Sequence, residues 1–130
     1  MKALQKEENP YPFLKSLDEH ENVRLVRLKG PIDMTTLPQI QAFRKELRAQ
    51  PGFQSKHVII DFKEVTHVDT SAVAGMILVL SEIKATQHCL GVIHAQQALV
   101  ERIKLLKLQQ IISHYSTETE AFQALSPMKQ

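Results

Sequence analysis

The chain has one cysteine, no tryptophan and only four glycines in 130 residues, and each shortage narrows what it can be. Cys89 stands alone, so an intramolecular disulfide is impossible, and no neighbour in sequence makes it half of a redox or metal pair; a reducing, cytoplasmic setting fits. The six histidines show no paired spacing of a zinc site, and no P-loop or dinucleotide glycine pattern is present, so neither a metal nor a cofactor is expected. An excess of one charge is missing too. A formal charge of +2 and a pI near 8.7, with Lys and Arg interleaved among Asp and Glu, leave no nucleic-acid footprint. Long apolar runs are also absent. The longest, residues 72–80, is far short of the roughly 20 residues that span a bilayer, and residues 1–8 lack a secretory h-region, so a soluble chain with no direct membrane insertion is expected.

What remains, 43% hydrophobic and 23% charged, is an ordinary globular composition. Its length suits one domain with a core of its own, residues 11–130, preceded by a polar, flexible arm at residues 1–10. An apolar segment at residues 11–17, the polar turn at 18–22 and the partly alternating Val23-Arg24-Leu25-Val26-Arg27-Leu28-Lys29 read as a hairpin. After Gly30-Pro31-Ile32-Asp33, the string Thr36-Leu37-Pro38-Gln39 matches a capping box, and Leu37, Ile40, Phe43 and Leu47 share one face of a helix running from Leu37 to Arg48.

Pro51-Gly52 breaks the chain, and Val58-Ile59-Ile60 reads as a central strand covered on both faces. Residues 63–68 read as a loop. Ala72, Val73, Met76, Ile77, Leu80 and Ile83 predict a helix ending near Gln87; Leu90-Gly91-Val92-Ile93 a strand; Leu99, Val100, Ile103 and Leu106 a helix; Ile111-Ile112 a last brief strand. Thr117-Glu118-Thr119-Glu120 is a second capping box opening a closing helix through Leu125. Strands alternating with helices predict an α/β fold: a small mixed, mostly parallel sheet, only its first strand antiparallel, with right-handed crossovers. The loops at the carboxyl ends of the strands then gather residues 30–33, 62–71 and 94–97 on one rim.

On that rim, Asp69-Thr70-Ser71 places hydroxyls at a helix start beside a carboxylate, the layout of a phosphorylation switch. On capping preferences alone the plainer reading leads, in which any of the three is no more than an N-cap worth about 1 kcal/mol. Asp33 and Asp69 invite an acid–base reading, but no His or Lys completes a motif, and a loop aspartate before a helix more often serves a turn, so no catalytic residue is assigned. Asp61 reads as a structural acceptor. In the helix expected over residues 72–87, Ala74, Gly75, Leu78 and Val79 make the second face apolar as well, so either both faces are buried or one is a contact surface. The basic, amphipathic residues 101–108 could touch a membrane; a helix packed on its own sheet explains them more simply.

The string Val58-Ile59-Ile60-Asp61-Phe62-Lys63-Glu64-Val65-Thr66-His67-Val68-Asp69-Thr70-Ser71 resembles the central signature of STAS domains, found in anti-sigma factor antagonists and in the cytosolic domains of sulphate-transporter-type anion carriers. Gly30-Pro31-Ile32-Asp33 is similar to that family's other mark, a glycine followed shortly by an aspartate before the first helix. The resemblance covers nearly the whole chain. It implies a non-enzymatic interaction module, phosphorylated at Ser71 with Thr70 as the fallback acceptor, by a partner kinase or anti-sigma factor that faces Asp33 and Asp69. Ala74 and Leu78 would add apolar contact with that or another regulatory protein. Ala72 departs from the pattern, since antagonists commonly carry glycine there. The alternative implied by the same resemblance is the regulatory domain of an anion carrier, with a membrane-transporter partner, toward which Gly30-Pro31-Ile32 leans.

Overall fold

Val23 and Leu25 face one side of their strand while Val26 and Leu28 face the other, so the sheet is packed on both faces. The computed structural model describes residues 11–20, 22–50, 56–69, 89–105, 107 and 112–125. The elements, in chain order, are β1 (Leu14–Glu19), β2 (Val23–Ile32), α1 (Leu37–Arg48), β3 (His57–Val68), β4 (Leu90–Ile93), α2 (Gln97–Leu105), β5 (Ile112–Tyr115) and α3 (Glu118–Leu125). The five strands lie side by side in the order β1-β2-β3-β4-β5, and only β1 runs antiparallel. Its turn is closed by the His20 N–H donating to the Val23 carbonyl at 2.9 Å. A register shift between Leu14 and Ser16 returns Leu14 and Leu17, three apart, to the same buried side.

Val26 and Leu28 of β2, with Val58, Ile60 and Phe62 of β3, face a large core completed by Ile40, Phe43 and Leu47 of α1 and by Leu99 and Ile103 of α2. Each such side chain, once buried, stabilises the fold by about 1.5–3 kcal/mol. Val23, Leu25, Ile59 and Ile93 point the other way and are covered by Ala121 and Leu125 of α3. This explains why the middle strands read as unbroken apolar runs. The rings of Tyr11, Phe13 and Phe43 meet with centroids 5.4–5.8 Å apart at the β1–α1 end of the larger core.

Two local expectations are corrected. Residues 63–68 are not a loop: they continue β3, paired in parallel with a β2 that itself runs on through Gly30 and Pro31 to Ile32. Register shifts between Arg27 and Lys29 and between Gly30 and Pro31 let the extended strand bury Val65 and Val68, three apart, and they accommodate a proline that a regular ladder would reject. The capping box at Thr36 does not form, because the Thr36 side chain makes no cap bond to its own helix and is engaged by Asp33 instead. Half of the second box forms: the Thr117 hydroxyl oxygen accepts from the Glu120 N–H at 3.1 Å, whereas the Glu120 carboxylate accepts from the N–H of Ser116, one residue before the cap, at 3.0 Å.

Candidate functional site

Ile32 and Val68 are paired where β2 and β3 end, and the next N–H along β3, that of Asp69, donates to the Ile32 carbonyl at 2.9 Å. Asp33 and Asp69 therefore leave neighbouring parallel strands side by side. Gly30, at φ +76°, supplies the left-handed residue that the irregular approach to this end requires, and a Cβ there would meet nothing within 4 Å.

Asp33 is locked in place. Its Oδ1 accepts from the Thr35 N–H at 2.9 Å, the Thr35 hydroxyl at 2.6 Å, the Thr36 N–H at 3.3 Å and the Thr36 hydroxyl at 3.2 Å. The Thr36 oxygen accepts in turn from the N–H of Asp33 at 3.2 Å. The Thr35 hydroxyl above all holds the carboxyl below its usual range, more than offsetting the opposing effect of desolvation. The result is a fixed negative group at the start of α1, where the helix dipole favours it. Beside it Met34 is 54% exposed, an apolar side chain standing on the rim. Neither Met34 nor Thr35 belongs to the helical stripe read from the sequence; the one available signal was an apolar residue set between a turn aspartate and a threonine pair.

Asp61 is a different kind of carboxylate. Only 4% exposed, it accepts from Arg27 Nη1 at 2.6 Å and from the Lys63 N–H at 2.9 Å, which is the structural role expected of it. The guanidinium also reaches Glu118 of α3 at 3.0 Å and Asp18 of β1 at 3.6 Å. With both oxygens engaged, Asp61 has no part in the rim.

The rim is stepped rather than level. β4 ends at Ile93, opposite Asp61, whereas β3 runs seven residues further, on the order of 20 Å of extended chain, before Asp69. Residues 94–97 therefore flank the middle of β3, not its end: the Gln96 side-chain amide donates to the Val65 carbonyl at 3.3 Å, and Val65 pairs with Gly30 on its other side. His94, at φ +56°, makes the turn that starts this segment. His67 is exposed and sits opposite Pro31 in the ladder.

Thr70, Ser71, Ala74, Leu78 and the helix expected over residues 72–87 lie outside the described residues. Among the described residues no helix is long and apolar enough to cross a membrane, and no three His, Cys, Asp or Glu side chains are grouped to hold a metal ion.

The architecture is shared with known proteins. An anti-sigma factor antagonist from Mycobacterium paratuberculosis has a TM-score of 0.67 at 22% identity, over 85% of this chain and 91% of that one. The Bacillus cell fate determinant SpoIIAA in its phosphorylated form has a TM-score of 0.61 at 19% identity, over 84% and 96% of the two chains. An anti-sigma-factor antagonist (STAS) domain protein from Planctomyces limnophilus has 0.60 at 22% identity, over 85% and 95%. At these identities the likeness is one of fold. No curated protein sequence matches. The model of the STAS domain matches residues 15–121, and the chain belongs to the STAS domain family.

Proposed function

We propose that this chain is a non-enzymatic interaction module of a signalling pathway, an anti-sigma factor antagonist in kind, whose hold on a partner is switched by phosphorylation of Ser71, with Thr70 as the fallback acceptor. The observation that carries the reading is the 2.9 Å bond from the Asp69 N–H to the Ile32 carbonyl, which sets Asp33 beside the segment that leads within two residues to Ser71. A fixed anion on that rim gives a partner kinase or anti-sigma factor a charged mark to recognise. Met34 offers apolar contact next to it, and Ala74 and Leu78 would extend that contact along the following segment. A phosphate adds roughly 1.5 to 2 negative charges beside two aspartates. Repulsion there displaces a partner matched to the unmodified surface without a change of fold.

The likeness of fold to SpoIIAA, a protein known in a phosphorylated form, supports the reading. A pull-down with the native chain, Ser71→Ala and Ser71→Asp tests it. Capture of a soluble kinase by the native and Ala forms and not by the Asp form is expected. Equal capture by all three removes the switch, and capture of a membrane protein favours the anion-carrier alternative. Leu78→Glu should abolish capture while the circular dichroism spectrum stays native; loss of folding would mark Leu78 as core.

A further inference from the structure

On the β1 side of Asp33 lies a pocket of about 240 Å³ between the start of β1, the end of β2 and the first turn of α1. Pro12, Phe13 and Pro31 give it apolar walls, Lys29 and Asp33 bring opposite charges to it, and Gln39 adds an amide. The Gly30 Cα is open there, with no atom within 4 Å of where a Cβ would stand. Both charges are incompletely used. All four bonds to the Asp33 carboxylate fall on Oδ1, leaving Oδ2 without a donor among the described residues. The Lys29 ammonium has no hydrogen bond or ion pair with any of them, and is thus more than 4.0 Å from the carboxylate whose pocket it shares. A cation and an anion that both line one small cavity without pairing with each other are complementary to a molecule that carries both signs in the reverse order.

From this we infer a binding site for a small zwitterion: an amino-acid-sized molecule whose ammonium meets Asp33 Oδ2, whose carboxylate meets Lys29 Nζ, and whose short aliphatic stem lies on Pro12, Phe13 and Pro31. The volume falls below the 300–1,000 Å³ typical of drug-sized ligands and suits an amino-acid-sized molecule. Simpler occupants match less well, because a lone amine gains from Asp33 what it loses to Lys29, and a lone carboxylate the reverse. The site does not rest on the phosphorylation switch, and its assay needs no partner protein.

The test is a nuclear magnetic resonance titration of the isolated chain with glycine, β-alanine, γ-aminobutyrate and 5-aminopentanoate, against butyrate and butylamine as single-charge controls. One member of the zwitterion series should move the Gly30 and Thr35 amides with at least tenfold higher affinity than either control. Lys29→Gln, at an exposed position, should reduce that affinity at least fivefold. So should Asp33→Asn, which keeps an oxygen for the two threonines. Failure of every zwitterion to exceed both controls, or affinity unchanged in Lys29→Gln, overturns the assignment.

Discussion

Arg27 and Asp61 face each other across the β2–β3 pair, Nη1 to Oδ2 at 2.6 Å, and the same guanidinium holds Glu118 at the first residue of α3. Burial works against the charge, but the bonds to Asp61 and Glu118 outweigh it and raise the guanidinium's pKa further above its already high value. One side chain thus ties the central strands to the helix that covers their second face. Removing one partner of a fully buried pair costs about 3–5 kcal/mol. Arg27 keeps a quarter of its side chain in solvent, so Arg27→Met should cost about 1–3 kcal/mol in urea unfolding. A change below about 0.5 kcal/mol would mean that the bridge contributes little beyond an ordinary surface pair.

Gly30→Ala isolates backbone strain from crowding, because the added methyl group has open space and an unfavourable φ of +76°. A loss of about 1–2 kcal/mol is expected, with amide shifts confined to the ends of β2 and β3. A neutral substitution would show that the positive φ is not required. Gly91 is the contrasting case: its Cβ would lie 3.0 Å from the Tyr115 ring, so substitution there is a packing problem.

The Asp33 carboxyl is depressed below its ordinary 3.8 chiefly by the Thr35 hydroxyl. A depressed folded-state value means that its contribution to stability is present above 3.8 and is lost as the pH falls through the folded value. Thr35→Val keeps the shape, removes the hydroxyl and should move the Asp33 titration upward in carbon-detected magnetic resonance. An unmoved titration would place the cause elsewhere.

Tyr11 donates its hydroxyl to Glu46 Oε1 at 2.8 Å. Burial, then that carboxylate, pushes its pKa from 10.0 up to about 12. The neutral form is the one the fold favours, so stability is complete below pH 10 and is lost as the pH rises from 10 through about 12. In Tyr11→Phe this part of the alkaline slope should disappear, alongside a loss of about 1 kcal/mol at neutral pH from the missing hydrogen bond. An unchanged slope would contradict the assignment.

Much of this was legible in the residues. The stripe Leu37, Ile40, Phe43, Leu47 marked α1 to both of its ends, and Leu90 to Ile93 marked β4, because a helix or strand packed on one core carries its period openly. The extension of β3 was hidden. With Val65 and Val68 buried at a spacing of three, and Gly30-Pro31 resembling a break, neither of the simple periods applied; only the two register shifts in β2 make that stretch a strand. Thr36 misled for a related reason: a side chain with two possible partners chose the aspartate three residues before it, a contest that spacing cannot decide. Asp33 and Asp69 were legible as neighbours because topology alone brings the ends of adjacent parallel strands together. The Lys29 ammonium was not, since its importance comes from what it fails to touch.

Mapping of phosphate by mass spectrometry, on the native chain and Ser71→Ala after incubation with whichever serine kinase the pull-down captures, tests the switch most directly. The account predicts phosphate at Ser71, lost in the Ala form unless Thr70 takes its place. Phosphate confined to positions other than Ser71 and Thr70 would contradict it.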